Sequence, residues 1–383
     1  MKPEKMGGAL HERIVKARES AGFSIAEAAE RLGFNNYQTL SSLEKGARNI
    51  TAGELIEMAR LYGRTLDYFF ESDILTEPVP LWRRIEKTGD VKKQQREFLS
   101  FLERYTDLEN LLGLKRRWTE IRSPFDRSDF KNNGFEVADK LGADIYKKLD
   151  LGSRPASNLL AVLENRLRIK ILHVPLSEGV SGASVVDDVL GSGVLINSGD
   201  VPWRRNYDLA HELFHVVTWD IFSAKEIGDG IKKTRPEQYA DIFASSLLLP
   251  EVYLIEGLKE ITPDNAVKRV DIIDLAKDFG VSTQAILWRL VNLKRIKKAQ
   301  VQRILDEPDF RDLDRTMRRG IREEYKPAKF PARFTSLACR CLMEGKISRG
   351  TFAEYLEIER SEVDDQLAEM GFAEESYEKI AVA

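Results

Sequence analysis

Apolar residues in the first 70 positions recur at helical spacing and predict a series of short helices. The predicted helices cover residues 11–21, 25–32, 36–44, 52–62 and 66–70. Ser24 and Thr51 precede two of them as capping residues, and Gly33 follows one of them as a terminator. The pattern therefore predicts a small all-α domain over residues 1–75.

The pattern between residues 76 and 134 predicts a linker and one helix. The segment Glu77-Pro-Val-Pro80 contains two prolines, which lack a backbone donor and favour extended chain. A charged amphipathic helix is predicted at about 91–112, and the polar segment from Ser123 to Gly134 is predicted to be a loop.

From Phe135 onwards the pattern alternates between helical and strand-like periods. The predicted helices cover residues 136–149, 155–166, 206–219 and 236–249, and the predicted strands cover 168–174, 182–186 and 193–197. Helices beside a small mixed sheet indicate an α+β domain, which we place at 135–300. The pattern after residue 262 is helical with a break near Pro327, and residues 301–383 are predicted to form a helical C-terminal region. The predicted fold class is therefore mixed.

The composition is that of a soluble globular protein, with 43% hydrophobic and 32% charged residues among 383. Neither an apolar run of roughly 18 residues nor a signal-peptide core is present, so we expect a cytoplasmic protein. Cys339 and Cys341 are too few for a disulfide scaffold or a four-cysteine metal site. The net charge of −3 gives no overall attraction to nucleic acid, so any DNA binding must be local.

Residues 211–215 match the motif H-E-x-x-H within a predicted helix. Residues four apart project from one helix face, so His211 and His215 can bind one metal ion, while Glu212 can act as a general base. The alternative is a pair of histidines on an amphipathic helix with no metal.

A catalytic zinc usually has three protein ligands, so a third ligand is needed. The extended motif H-E-x-x-H-x-x-G-x-x-H has glycine and histidine where this chain has Thr218 and Ile221, so that class is excluded. Glu237, in the first turn of the next predicted helix, is the candidate, although an acid there could also simply stabilise the helix dipole. Asp241 lies one turn later and could accept the other ring N–H of a ligand histidine.

Two segments, Arg205-Asn-Tyr-Asp-Leu-Ala-His-Glu-Leu-Phe-His215 and Glu237-x-x-Ala-Asp-x-Phe-Ala-x-x-Leu-Leu-Leu-Pro250, resemble the ImmA/IrrE family of zinc endopeptidases. The strands at Ser181-Gly-Ala-Ser184 and Val194-Leu-Ile-Asn197 are also similar to that family. The resemblance implies a zincin-like peptidase domain, with His211, His215 and Glu237 as zinc ligands and Glu212 as the base. It further implies cleavage of a partner transcriptional repressor. Phe214 departs from the glycine that members often have, and we expect it to face the core.

Ser24-Ile-Ala-Glu-Ala-Ala-Glu-Arg-Leu-Gly33 and Thr39-Leu-Ser-Ser-Leu-Glu-Lys-Gly46 resemble the XRE family of lambda-repressor-like helix-turn-helix proteins. The resemblance implies a DNA-binding domain and a homodimer on operator DNA. The recognition helix would be 36–44, presenting Asn36, Tyr37, Gln38, Ser41 and Ser42 to bases or phosphates. Residues 1–64 contain ten Lys/Arg and eight Asp/Glu, a net charge of +2, so a helical protein-binding module is the alternative.

Together these patterns predict a DNA-binding regulator fused to a zinc endopeptidase that cuts a partner regulatory protein. Two other functions stay open at this point. One is a regulator whose peptidase-like domain acts as a sensor without turnover. The other is an antitoxin or phage-defence regulator that binds a co-encoded toxin. No oxyanion donor is assigned, since Tyr239 and Arg205 are near the motif in sequence only.

Overall fold

The chain divides into two compact units. The computed structural model describes residues 4–20, 23–62, 64, 66–70, 81–82, 89–114, 118–177, 179–227, 233–261, 267–319 and 326–372. The first unit comprises Met1–Val79 with Glu86–Tyr105, and the second comprises Pro80–Ile85 with Thr106–Ala383. The domain boundaries given above stay a prediction. Among the described residues, every helix is too short or too polar to cross a membrane.

The first unit is helical, as predicted. Its short helices are α1 (Glu4–Ser20), α2 (Ile25–Arg31), α3 (Tyr37–Glu44), α4 (Ala52–Tyr62) and α5 (Leu66–Phe70). A longer helix, α6 (Gly89–Leu111), includes residues assigned to both units. The predicted proline linker at 77–80 lies outside the described residues.

Local caps and one buried ion pair define the first unit. Ser24 and Glu27 form a capping box at the start of α2, which offsets the unpaired amides of the first turn. Arg18 of α1 donates to both carboxylate oxygens of Glu44 in α3, at 2.6 and 3.2 Å. Both residues are buried, so this bidentate contact fixes the position of α3 against α1.

The second unit contains a four-stranded sheet together with helices. The strands are β1 (Leu81–Trp82), β2 (Lys170–Val174), β3 (Gly182–Asp187) and β4 (Gly191–Asn197), in the order β1-β3-β4-β2. The β2–β4 pair is parallel and the other two pairs are antiparallel, so the predicted mixed α+β sheet is confirmed.

The helices of this unit that precede or follow the sheet largely agree with the predicted pattern. They are α7 (Arg127–Leu149), α8 (Pro155–Ala161), α9 (Pro202–Val217), α10 (Ala224–Ile227), α11 (Arg235–Leu248) and α12 (Glu251–Ile261). The C-terminal helices are α13 (Arg269–Asp278), α14 (Thr283–Asn292), α15 (Lys298–Asp306), α16 (Pro308–Met317), α17 (Ala332–Met343), α18 (Arg349–Leu356) and α19 (Val363–Glu369).

The predicted loop at 123–134 is wrong over most of its length, because α7 begins at Arg127. Asp126 and Asp129 form a capping box there, so the polar residues start a helix. Gly134 does not end the helix but lies against α11, where a Cβ atom would be 2.3 Å from the Tyr239 hydroxyl. The helix bends one residue earlier, at Asn133, which has φ −137° and ψ 44°.

Candidate metal centre and recognition helix

Helix α9 presents both histidines of the H-E-x-x-H motif on one face. His211 and His215 are 0% and 1% exposed, and their ring centroids are 5.3 Å apart. Phe214, on an adjacent face, is buried as expected and packs edge-on against His215, with ring centroids 5.6 Å apart. The apolar core therefore determines the orientation of the helix that carries the two imidazoles.

Helix α11 brings Glu237 to these imidazoles. Pro236 lies in the first turn of α11 and Glu237 follows it, so the carboxylate projects near the start of the helix. Its Oε2 lies 3.3 Å from Nε2 of His211, and its Oε1 lies 3.1 Å from Nε2 of His215. One ligand atom from each of the three buried residues lies within 4.8 Å of the other two, so the group could hold a metal ion.

The charge state of Glu237 follows from its neighbours. Burial raises the pKa of its carboxyl, but the two imidazoles of His211 and His215 outweigh burial and hold the pKa far below its usual range. Glu237 is therefore an anion at neutral pH, which is the form that binds metal cations.

Asp241 lies one turn after Glu237, and its Oδ1 is 3.0 Å from Nδ1 of His211. Burial raises the pKa of Asp241, but its hydrogen bond to His211 and the charge of Lys233 together lower it. The Tyr207 hydroxyl donates to the backbone oxygen of Asp241 at 2.9 Å. The carboxylate is thus held in place and can fix His211 with its Nε2 towards Glu237 and His215.

Glu212 lies beside the first residue of β3. It is 0% exposed, and a Cβ atom at Gly182 would be 3.3 Å from both its Cγ and Oε1. The same Cβ would lie 2.9 Å from the backbone oxygen of Leu195. The backbone of β4 therefore leaves no room for a side chain at position 182, and Glu212 lies close above the same position.

Sequence reasoning missed two features of this neighbourhood. Lys233 forms an ion pair with Asp241, but it belongs to a loop with no periodic pattern that could have indicated this. Arg204 donates to Ser181 Oγ at 2.8 Å and lies 3.6 Å from Asp208. Arg204 and Asp208 are four residues apart, but the predicted helix began only at residue 206, so their pairing was missed. The contact of Arg204 with Ser181 joins distant parts of the chain and could not be foreseen.

The other two histidines, and the two residues near the motif in sequence, have different surroundings. His173 lies in β2. Burial is the main cause that lowers its pKa to about 4, and the charge of Arg205 lowers it further. His11 lies against Gly46, which has φ +70°. The Tyr239 hydroxyl donates to the backbone oxygen of Phe130 at 3.3 Å, and Arg205 donates to the backbone oxygen of Asp200. None of these contacts gives an oxyanion donor.

The segment predicted to be the recognition helix forms helix α3, with Asn36 as its N-cap. The Asn36 oxygen accepts from the backbone N–H and the hydroxyl of Thr39, at 3.0 and 3.2 Å. Tyr37 is 56% exposed, Gln38 is exposed, and Ser41 and Ser42 are half-buried. Leu40 and Leu43 face the core on the other side. The helix therefore presents a polar face with one aromatic residue, and its contacts with DNA stay a prediction.

Comparison with known proteins matches both parts of the chain. Residues 14–69 match the family model described as helix-turn-helix, and residues 164–291 match a peptidase family model described as the IrrE N-terminal-like domain. The HTH-type transcriptional regulator ImmR of Bacillus subtilis (strain 168) is 34% identical over 64 residues, or 17% of this chain. The matched region spans 50% of that regulator's length.

Proposed function

We propose that this chain, which joins a helix-turn-helix domain to an IrrE N-terminal-like domain, is a transcriptional regulator with zinc-dependent endopeptidase activity. Its substrate would be a partner regulatory protein in a stress, mobile-element or phage-related response. The observation that carries the proposal is the convergence of His211, His215 and Glu237 in one cluster, with Glu212 next to His211 in the same helix.

The three ligand residues fit zinc. Tetrahedral zinc has bonds of roughly 2.0–2.2 Å to nitrogen and oxygen, so two of its ligand atoms lie about 3.4 Å apart. The distances of 3.3 and 3.1 Å from Glu237 oxygens to the two Nε2 atoms are close to this separation. Two imidazoles and one carboxylate also leave a fourth position open, which is the arrangement of catalytic rather than structural zinc sites.

Each residue then has a role in amide hydrolysis. Zinc held by His211, His215 and Glu237 would supply a Lewis acid that polarises water and the scissile carbonyl. Glu212 would accept a proton from the attacking water and deliver it to the leaving amide nitrogen. Asp241 would keep the Nδ1 proton of His211 in place, so that Nε2 stays available as a ligand.

The first unit supports the regulatory part of the proposal. Helix α3 presents exposed polar residues, as a helix that reads base edges in the major groove must do. ImmR is a transcriptional regulator by its name, and its similarity to this chain covers only 64 residues. This similarity supports DNA binding, but it does not bear on the peptidase activity. We expect the protein to bind operator DNA as a homodimer in the cytoplasm.

A second candidate is a regulator whose peptidase-like domain acts as a sensor without turnover, or an antitoxin that binds a co-encoded toxin. The 0% exposure of both His211 and Glu212 favours it, because a substrate needs access to these groups. A structural metal would need no such access.

The experiment is to incubate the purified protein with zinc and the products of neighbouring genes, and to identify fragments by mass spectrometry. We expect about one zinc per chain and one cleaved regulatory protein. His211→Ala and His215→Ala should lose both the metal and the cleavage, and Glu237→Ala should weaken metal binding. One zinc per chain in the variant that combines His211→Ala and His215→Ala would rule out the proposed site.

A further inference from the structure

Strand β1 lies on the outer edge of the sheet, beside the strand that touches Glu212. It pairs antiparallel with β3, with Leu81 opposite Ser184 and Trp82 opposite Ala183. The other edge of β3 is already paired with β4, where Ala183 faces Leu195. Residues 81–82 therefore pair with the edge of β3 that β4 does not use.

This part of β3 adjoins the candidate active site directly. Ala183 follows Gly182, at which an added Cβ atom would lie 3.3 Å from Cγ and Oε1 of Glu212. In the observed register, one further residue of an antiparallel partner strand would oppose Gly182. A polypeptide paired to this edge thus runs past the proposed general base.

An extended peptide is the kind of ligand that this edge can bind. A free strand edge presents unpaired N–H and C=O groups, which a second chain can pair with by adding a strand. An endopeptidase must bind residues on both sides of the bond it cuts, and an extended chain leaves that bond open to attack. We propose that β1 occupies, in cis, the edge of β3 on which an extended peptide substrate binds. This inference rests on the proposed function.

The pairing of β1 with β3 is weak enough for another peptide to displace β1. A strand of two residues forms few ladder hydrogen bonds, and short strand pairs are only marginally stable in water. Pro80, immediately before β1, has no backbone N–H and cannot add a donor to the ladder. A tethered segment nevertheless competes at an effective concentration on the order of millimolar, so a free peptide binds with reduced apparent affinity while β1 is in place.

The test is peptide binding to the full chain, measured in a Glu212→Gln background so that cleavage cannot interfere. The probe is a fluorescently labelled synthetic peptide with the sequence of residues 79–85, and binding is followed by anisotropy. Leu81→Pro with Trp82→Pro removes both backbone donors of β1, whereas the matched control, Leu81→Val with Trp82→Tyr, keeps them and the strand propensity. The proline pair should bind the probe about tenfold more tightly than the parent, and the control should bind like the parent.

A second variant and a second measurement guard against misfolding. Leu81→Gly with Trp82→Gly keeps both donors but disfavours the strand, so it should shift probe affinity in the same direction by a smaller factor. Neighbouring amides of β3 point to opposite edges, so only one of Ala183 and Ser184 directs its N–H towards β1. Hydrogen exchange at that amide should become faster in both variants and slow again when the probe is added, while exchange at the amide that faces β4 should stay unchanged. Equal probe affinity in all proteins, or no binding to any, would overturn the inference. Binding as expected without any cleavage by the Glu212 protein would instead contradict only the proposed function.

Discussion

Nδ1 of His211 lies 3.0 Å from Oδ1 of Asp241, and this contact joins the two helices that carry the candidate metal ligands. His211 belongs to α9, whereas Asp241 lies one turn after Glu237 in α11. The contact assigns the two ring nitrogens different tasks, because Nδ1 faces Asp241 and Nε2 faces Glu237 at 3.3 Å. Metal affinity should therefore depend on a residue that is not itself a ligand.

Asp241→Ala should weaken zinc binding by about 10–100-fold without abolishing it, because His211 loses the group that orients its ring. The zinc dissociation constant can be measured by competition with a chromophoric chelator. Asp220→Ala is the control, since Asp220 is an exposed acid near the end of α9 that is not among the residues of the cluster. An unchanged dissociation constant in Asp241→Ala would show that the contact has no role in metal binding.

Gln38→Ala combined with Ser41→Ala should reduce preference for the operator more than it reduces general affinity for DNA. The reason is that contacts with bases specify the site, whereas contacts with phosphates mainly position the protein. A lost bidentate base contact typically costs about 1–3 kcal/mol, so binding to the operator should weaken by about tenfold or more. Titration of operator and random duplexes at one fixed salt concentration measures both effects. Equal loss on the two duplexes would place the reading surface elsewhere.

Glu164 should make the second unit less stable at alkaline pH. Burial, only partly offset by the charge of Arg333, raises the pKa of Glu164 from 4.5 to about 7. The folded protein thus holds this proton more tightly than the unfolded chain does. The associated stability is present in full below the ordinary pKa and is lost as the pH rises through about 7.

Glu164→Gln should remove this dependence. Relative to the wild type, its free energy of unfolding should rise by up to about 3 kcal/mol between about pH 4 and pH 8. Urea unfolding at both pH values measures the difference, with the exposed Glu120→Gln as control. A difference that does not change with pH would show that the ionised carboxylate is not destabilised in the folded protein.

The parts of the site that the sequence predicted are those encoded within single helices. His211 and His215 are four residues apart, and Glu237 and Asp241 repeat that spacing on the next helix, so periodicity alone placed each pair on one face. The family model and the fold agree with the predicted helix-turn-helix and α+β regions.

The features that were missed depend on contacts between distant parts of the chain. Strand β1 exists through its pairing with residues about 100 positions later, and its own two residues carry no strand pattern. Gly134 was assigned to the predicted loop, yet it lies within α7 and makes room for Tyr239 of another helix. Polar composition near Asp126 suggested a loop because the same residue types favour both loops and helix N-termini.

The most direct test of the account is a comparison of wild type with Glu212→Gln. The amide keeps the size of the side chain but cannot accept the proton of the attacking water, and neither histidine is changed. The variant should retain its zinc and bind the partner protein, yet cleave it about 10²–10⁴-fold more slowly, with the loss towards the upper end. Both quantities come from one sample, by metal analysis and by the rate of fragment formation. Wild-type rates of cleavage in the zinc-loaded variant would contradict the account, as would full regulation in cells with no protein cut by the wild type.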